Sequence, residues 1–328
     1  MEENKLEDRI YLLPETGRFY KANLHSHTVV SDGRLTPEEA KENYKNHGYE
    51  IMAFTDHRIY RNHEELNDEG FLALAAVEVD INEKSPDCLR PRDKTYHINL
   101  YDTKPGYKRV RKEQGICPEC RYGDIDYINQ YLMDMKELGF LACYNHPYWS
   151  MQSYEDYKDL EGLFAMEIYN HGCEHDGLYG YNPQSYEEML RLDKRLWCLA
   201  TDDNHNSYPF DHPLCDSFGG FTMIKAERLS YDSVINALIN GHFYSSMGPE
   251  IKKLYVEGRE LVVKTGPVKV ICGITDQGRI CRRGEGQEET ITEARFPLLG
   301  NETYIRVECK DEKGLFANSN AYFFSDLL

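Results

Sequence analysis

Two histidines separated by one residue, His25-Ser26-His27, are the first candidates for chemistry in this sequence. Side chains alternate along an extended strand, so both imidazoles of such a pair point to the same face. A carboxylate, Asp32, follows in the next loop and precedes Gly33. Neutral imidazoles beside a carboxylate are suitable ligands for a divalent metal ion. The spacing therefore predicts the beginning of a metal site at the end of the first strand.

The same arrangement recurs along the chain, where apolar segments end in a His, Asp or Glu. Strands are predicted at residues 19–27, 49–54, 71–78, 97–101, 140–144, 163–169 and 196–200. The candidate ligands at their ends are His25, His27, Asp32, His57, Glu78, His97, His146, Asp203 and His205. A mixture of imidazoles and carboxylates without a thiolate favours Zn, Mn or Fe over Ca. So many groups exceed the needs of one ion and suit two or three.

Helices alternate with these strands and indicate the fold class. The clearest begins with Thr36, Pro37 and Glu39, which together form a predicted capping box. Strand–helix alternation indicates parallel strands joined by right-handed crossovers. Ligands at one end of several strands favour a β/α barrel with its site at the C-terminal face. An open doubly wound sheet is less favoured, because no glycine-rich phosphate loop follows the first strand.

The sequence changes character towards its C-terminus, where short alternating segments separated by turn residues replace the strand–helix pattern. We therefore predict a large domain over residues 1–250 and a small antiparallel β-sandwich over residues 251–328. Residues 102–125 are rich in Lys, Arg, Gly and Pro and are predicted to form an inserted loop or lid.

Composition limits the possible partners and the compartment. The formal net charge is −18, which argues against an electrostatic grip on nucleic acid. Neither a signal peptide nor a bilayer-spanning segment is visible, and the ten cysteines form no dense framework. We expect a cytoplasmic protein with free thiols and no membrane association. Cys88, Cys117 and Cys120 could bind a structural zinc, although solvent-facing thiols in an insertion are the simpler interpretation.

Taken together, these motifs resemble those of the PHP (polymerase and histidinol phosphatase) metal-dependent phosphoesterases, in a subgroup with a C-terminal β domain. Order and spacing match from the first strand to residue 205. The matching motifs are His25-Ser26-His27, Asp32, Thr55-Asp56-His57, Glu78, His97, Asn145-His146-Pro147 and Asp203-Asn204-His205. The resemblance implies a distorted (β/α)7 barrel with a two- or three-metal centre.

The resemblance also implies which residues share each ion. The first metal would be held by His25, His27, Glu78 and Asp203. Glu78 would bridge to a second metal completed by His97 and His146. The third would be held by Asp32, His57 and His205. Because the acid is doubled in the last motif, Asp202 is an alternative to Asp203.

Two residues next to these ligands have predicted supporting roles. Asp56 is expected to orient His57, because metal-bound imidazoles usually donate to a second acceptor. Arg58 could bind a phosphate through two parallel hydrogen bonds, or it could pair with a surface carboxylate.

A second group of candidates lies near the predicted rim of the site. Asn170, His171 and His175 follow one strand and could contact substrate. The simpler interpretations are a turn cap for Asn170 and exposed loop positions for the two histidines. In the inserted loop, Arg109, Arg111 and Arg121 could reach an anionic substrate or form an ordinary solvated face.

The hypothesis from the sequence is hydrolysis of phosphate monoesters of small molecules, such as nucleotides or sugar phosphates. A metal-bridging hydroxide would attack phosphorus in line. One alternative is a carboxylic or carbamate ester hydrolase that uses the same metals. Another is a metal-dependent binding protein without catalysis.

Overall fold

A computed structural model describes residues 9–83, 94–105, 116–286 and 289–327. The strands up to residue 250 are β1 Arg9–Tyr11, β2 Arg18–Asn23, β3 Ile51–Phe54, β4 Leu72–Asn82, β5 Thr95–Asp102, β6 Phe140–Asn145, β7 Ala165–Asn170, β8 Trp197–Thr201, β9 Phe221–Ala226 and β10 Phe243–Ser246. Those that follow are β11 Ile251–Glu257, β12 Glu260–Val268, β13 Val270–Thr275, β14 Gly278–Arg283, β15 Ile291–Pro297, β16 Tyr304–Lys310, β17 Phe316–Ser319 and β18 Tyr322–Phe323. The helices are α1 Pro37–Asn46, α2 Ile125–Glu137, α3 Tyr154–Tyr157, α4 His171–His175, α5 Pro183–Arg191, α6 Tyr231–Ile239 and α7 Phe324–Leu327.

One mixed sheet carries the strands on which candidate ligands were predicted. Strands β2, β3 and β4 are parallel neighbours, and so are β6, β7 and β8. Strand β5 is antiparallel to both β4 and β6, so the prediction of parallel strands throughout is wrong at this position. Pairing of β4 with β5 extends to Glu83, whose N–H donates to the Lys94 carbonyl. Antiparallel neighbours need no crossover helix, which explains why strand–helix alternation fails here.

The first and last of these strands approach each other at the site. The His27 N–H donates to the Asn204 carbonyl at 3.0 Å, and the Asp203 N–H donates to the His25 carbonyl at 2.9 Å. The residues that follow β2 and β8 therefore lie side by side. Ala22 on β2, Leu74 on β4 and Leu199 on β8 pack in one core cluster.

Local sequence signals fix the helix ends. Thr36 Oγ1 accepts the Glu39 N–H, and the Glu39 carboxylate accepts the Thr36 N–H, which confirms the predicted capping box. Asp124 caps α2 by accepting the Tyr127 N–H. Each cap satisfies an N–H that has no partner inside its helix.

The C-terminal part is antiparallel. Strands β11, β12 and β15 form one sheet, to which the N-terminal strand β1 adds an edge. Strands β13, β14, β16 and β17 continue from β10 in the larger sheet. Side chains from both sheets, such as Val263 and Val307, share one hydrophobic core. This packing positions the C-terminal part directly beside the strands that carry the candidate ligands.

Cysteine pairing differs from the prediction. Cys272 and Cys281 lie opposite each other on β13 and β14 and form a disulfide, so the expectation of free thiols throughout is wrong. Cys117 is partly buried and Cys120 is exposed. Cys88, Arg109, Arg111 and part of the predicted insertion lie outside the described residues. Among the described helices, none is long and apolar enough to cross a bilayer.

Candidate metal centre

The histidine pair after β2 lies at the centre of the site. His25 and His27 are fully buried, and their Nε2 atoms are 3.1 Å apart. Asp203 Oδ1 lies 3.0 Å from each of these nitrogens. The three side chains therefore direct ligand atoms at one point, as the period of an extended segment predicts for His25 and His27.

Glu78, at a buried position of β4, contacts five imidazoles. Its carboxylate oxygens lie 3.3 Å from His25, 3.3 Å from His27, 3.1 Å from His57, 2.9 Å from His97 and 3.6 Å from His146. The Asn145 amide donates to Oε1 at 2.8 Å. An ionised carboxylate with 1% exposure needs such partners, because burial of an isolated charge is costly.

A more exposed group of candidate ligands extends from this core. Asp32 lies 3.6 Å from His27 Nδ1, 3.7 Å from His57 Nε2 and 3.5 Å from His205 Nε2. The Asp32 side chain is 53% exposed, whereas His57 and His205 are 28% and 30% exposed. All nine predicted ligands thus meet at one end of the sheet. We call these nine residues the ligand cluster.

Burial and charge act in opposite directions on the ligand cluster. Burial lowers the pKa of His25, but the carboxylates of Asp203, Glu78 and Glu167 outweigh it and raise that pKa well above its usual value. The pKa of Asp203 is held well below its usual value, since His25 and His27 outweigh the effect of burial. For His57, burial prevails and lowers the pKa.

Several side-chain atoms that could bind a metal at the centre have no hydrogen-bond partner. Within the described part of the chain, Glu78 Oε2, Asp203 Oδ1 and His27 Nδ1 are buried without a hydrogen-bond partner. Buried polar atoms are normally satisfied, so such a cluster calls for an explanation such as an ion. Imidazole and carboxylate atoms converge here in several overlapping groups of three or four. The residues present therefore fit divalent metal ions.

Glu167, in the middle of β7, is a residue that the sequence analysis missed. It is fully buried, and its Oε1 lies 2.7 Å from His25 Nδ1 and accepts the Thr201 hydroxyl at 2.7 Å. The Asn170 amide donates to Oε2 at 2.9 Å. A carboxylate behind an imidazole fixes the ring so that its other nitrogen faces a metal. The sequence signal that could have identified Glu167 is a carboxylate inside the otherwise apolar segment 163–169.

The two consecutive aspartates of the last motif, Asp202 and Asp203, have different contacts. Asp202 is fully buried and accepts hydrogen bonds from the Tyr44 hydroxyl and from the N–H groups of Phe218, Gly219 and Gly220. Burial raises its pKa to about 7. Asp203 instead adopts a positive φ of 53°, a backbone conformation that is uncommon outside glycine and recurs at functional sites. Only Asp203 reaches the imidazoles of the cluster.

Asp56 and Arg58 do not have the contacts first expected of them. The Asp56 carboxylate accepts hydrogen bonds from the backbone and hydroxyl groups of Thr28 and Ser31, so the predicted bond to His57 is wrong. It fixes the loop that leads from β2 to Asp32. Arg58 donates to the Asp80 carboxylate at 3.1 Å and to the Pro118 carbonyl. Of its two predicted roles, it therefore has the ion pair with a carboxylate.

The three rim candidates separate by depth. Asn170 is fully buried, caps α4 through the Cys173 N–H, and donates to Asp203 at 3.1 Å. His171 contacts the Tyr169 hydroxyl at 2.8 Å and His175 at 3.1 Å, and burial lowers its pKa to about 4. Of the three, His175 alone lines the cavity described next.

A cavity of about 440 Å³ opens above the ligand cluster. Besides seven members of the cluster, its lining includes Trp149, His175, Asp176, Tyr208 and Leu214. Cys173 also lines it, and its thiol lies within 4.8 Å of ligand atoms of His146 and Asp203. The predicted ligand set contained no thiol. Among the described residues, Cys117 and Cys120 belong to no group of three potential ligands.

Comparison with known proteins gives one family match. The PHP domain family matches residues 23–199. A search of curated proteins found no match.

Solved structures with a similar fold include a two-domain protein from Bacteroides vulgatus that contains a predicted PHP-like metal-dependent phosphoesterase. It has 17% identity and a TM-score of 0.48, and the alignment covers 96% of this chain and 99% of that one. A candidate metal-dependent phosphoesterase from Bifidobacterium adolescentis has 15% identity and a TM-score of 0.37, covering 62% and 94%. An amidohydrolase from Chromobacterium violaceum, solved with sulfate and no metal, has 16% identity and a TM-score of 0.34, covering 59% and 93%.

Proposed function

This chain belongs to the PHP domain family, and on that premise we propose that it is a metal-dependent hydrolase of small phosphate monoesters. The observation that carries the proposal is the ligand cluster. Its imidazole nitrogens and carboxylate oxygens converge, and three of these ligand atoms are buried without a hydrogen-bond partner among the described residues. Two or three ions of Zn, Mn or Fe suit this donor set. Bound divalent ions would acidify water and neutralise phosphoryl oxygens.

The proposed ligand sets follow the contacts of the cluster. His25, His27 and Asp203 share one group of ligand atoms, with Glu78 within 3.3 Å of both imidazoles. Glu78 also contacts His97 and His146, which supports a bridging role between two ions. A third set consists of Asp32, His57 and His205, which share a group with His27.

Other residues of the chain would position these ligands. Glu167 holds His25 Nδ1, so that Nε2 faces the cluster. Asn145 donates to Glu78, which fixes the orientation of that carboxylate. Asp216 accepts the N–H groups of His205 and Asn206 and so holds the His205 backbone. Preorganised ligands need no rearrangement when charge develops in the transition state.

Carboxylic or carbamate ester hydrolysis is a second candidate, and one observation favours it. Of the described residues that line the cavity, none is a Lys or an Arg. A neutral ester needs no cationic side chain, whereas a phosphate monoester would find neither a Lys nor an Arg among the described lining residues. The two candidates differ in the bond attacked and share the ligand cluster.

The test compares aryl phosphates with matched aryl carboxylic and carbamate esters on metal-reconstituted protein. We expect phosphate hydrolysis, and we expect His27→Ala to abolish it with loss of bound metal and retention of the circular dichroism spectrum. Unchanged activity in His27→Ala would refute the metal assignment. Hydrolysis of carboxyl esters alone would favour the second candidate. Bound metal without any hydrolysis would indicate a binding protein.

We further infer that β2 to β8 form the distorted barrel expected for the family. The backbone bonds between the segments after β2 and β8 support this closure. A domain boundary near residue 250 is supported by the antiparallel sheets and the separate core that follow it. Strand β1, which joins the C-terminal sheet, would then cross from the first domain to the second.

A further inference from the structure

Two cysteines outside the ligand cluster have the spacing of a redox-active pair. Cys117 and Cys120 are separated by two residues, and both are free thiols. Thiols at this spacing commonly exchange between a dithiol and a disulfide. Cys120 is exposed, whereas Cys117 is partly buried. An oxidant in solution can therefore reach Cys120, and a second thiol lies close by in the chain to complete a disulfide.

The segment that carries the two thiols is held from one side by helix α2. The Tyr131 hydroxyl donates to the Ile116 carbonyl, and the Glu119 N–H donates to the Tyr127 hydroxyl at 2.7 Å. These two bonds fix the backbone just before the first cysteine and just before the second. The two thiols are thus carried by a segment with defined contacts.

Arg58 contacts the same segment from the other side. Its guanidinium donates to the Pro118 carbonyl at 3.1 Å, and its own carbonyl accepts the Cys117 thiol at 3.4 Å. Burial raises the pKa of Cys117, and Arg58 opposes that rise. Burial lowers the pKa of Arg58, but the charges around it, including those of Cys117 and Cys120, outweigh burial and raise it. A guanidinium near both thiols favours their thiolate forms, which are the forms that react with oxidants.

Arg58 also connects this segment to the ligand cluster. It follows His57 in the chain, and its N–H donates to the Glu78 carbonyl at 2.7 Å. Its side chain donates to the carbonyl and the carboxylate of Asp80, both at 3.1 Å. Its φ is 56°, a left-handed backbone conformation that persists outside glycine only where surrounding contacts hold it. The bond from the Cys117 thiol is one of those contacts, so its loss would loosen the backbone next to His57.

We propose that Cys117 and Cys120 form a peroxide-sensitive dithiol whose oxidation weakens metal binding in the ligand cluster. The Cys120 thiolate attacks a hydroperoxide, the O–O bond breaks, and a sulfenic acid and an alcohol or water form. The Cys117 thiolate then attacks that sulfur, an S–S bond forms, and the departing hydroxide becomes water. Two thiols are oxidised, one peroxide is reduced, and the two thiol protons end on the two oxygen products. The disulfide has no S–H group, so the Arg58 carbonyl loses its donor.

The first test follows the thiols by mass, and it does not depend on any metal. Reduced, metal-free protein is treated with one equivalent of hydrogen peroxide, and we expect the tryptic peptide that spans both cysteines to lose two hydrogens. Cys117→Ser should instead form a sulfenic acid at Cys120, which dimedone traps, whereas Cys120→Ser should leave Cys117 reduced. An unchanged peptide, or a zinc ion that the native chain binds and Cys120→Ser does not, would overturn the dithiol.

The second test measures metal affinity and rests on the metal centre of the proposed function. Zinc is titrated against a chromophoric chelator into the reduced and the oxidised native chain after removal of peroxide. We expect oxidation to weaken at least one zinc site about fivefold or more, since coupling between two sites typically begins at that size. Cys120→Ser, treated in the same way, should keep its affinity. It retains the Cys272–Cys281 disulfide and the Cys173 thiol beside the cluster, so it controls for oxidation at those positions.

The outcomes separate failure of this inference from failure of the proposed function. A disulfide with equal zinc affinity in both forms would overturn the coupling through Arg58 and leave the phosphoesterase proposal standing. Equal loss of affinity in the native chain and in Cys120→Ser would assign the effect to another group, which also overturns the coupling. A reduced chain that binds no zinc would overturn the proposed function and the coupling together, while the peptide mass would still decide whether the dithiol reacts.

Discussion

Replacement of Glu167 by Gln tests whether this buried carboxylate positions a metal ligand. In the native chain Glu167 Oε1 contacts His25 Nδ1 and accepts a hydrogen bond from the Thr201 hydroxyl, and Oε2 accepts one from the Asn170 amide. Gln has a single acceptor oxygen. If that oxygen keeps its contacts with His25 and Thr201, the new NH2 group faces the NH2 group of Asn170. The hydrogen bond from Asn170 is then lost, at a cost of about 1–3 kcal/mol in unfolding free energy.

The effect on metal binding should be separate and specific. Loss of a carboxylate behind a ligating imidazole typically weakens metal affinity about 10- to 100-fold, which corresponds to about 1.4–2.7 kcal/mol. We expect this shift in competition titrations of Glu167→Gln with a chromophoric chelator, at a temperature well below unfolding.

Glu187→Gln is the matched control for this experiment. Glu187 is also buried, but it binds Arg306 at 2.7 Å and the Tyr304 hydroxyl at 2.6 Å, away from the ligand cluster. Removal of its charge leaves the buried Arg306 guanidinium with the more distant carboxylate of Glu308, at 3.7 Å, and should cost up to about 3–5 kcal/mol in unfolding free energy without altering metal affinity. A metal affinity of Glu167→Gln within about threefold of the native value would refute the positioning role, given the typical range.

Two further predictions concern the same centre. Asp203→Asn should lose at least one bound ion per chain, because its Oδ1 faces both buried imidazoles, whereas Asp202→Asn should keep the metal and lose about 1–3 kcal/mol in unfolding free energy, because backbone donors lose an acceptor. Elemental analysis and urea unfolding distinguish the two variants, and equal metal loss in both would contradict the assignment. The second prediction concerns pH. Burial lowers the pKa of His205, but Asp32 and Asp203 outweigh it and raise that pKa to about 9 in the metal-free protein. A ligand must lose its proton on binding metal, so apparent affinity should increase with pH up to about 9. Titrations across this range that show constant affinity would contradict the role of His205.

Local sequence signals predicted those parts of the molecule that depend on neighbours in the chain. The capping box at Thr36 needs only residues three apart, and it forms as expected. The meeting of His25 and Asp203 was predictable as well, since the segments after parallel strands meet at one edge of a sheet. The orientation of β5 was not predictable this way, because it depends on which strands pair and not on the pattern within the strand.

The choice between Asp202 and Asp203 shows a different limit. Both acids follow β8, and period-two alternation cannot tell which one faces the cavity once the strand has ended. The positive φ of Asp203 turns its carboxylate to the imidazoles, while three successive N–H groups from residues 218–220 hold Asp202. Those N–H groups belong to residues that follow the last predicted ligand, His205, by more than ten positions in the sequence. Their contact with Asp202 forms only when the chain folds, so it could not be predicted from the motif.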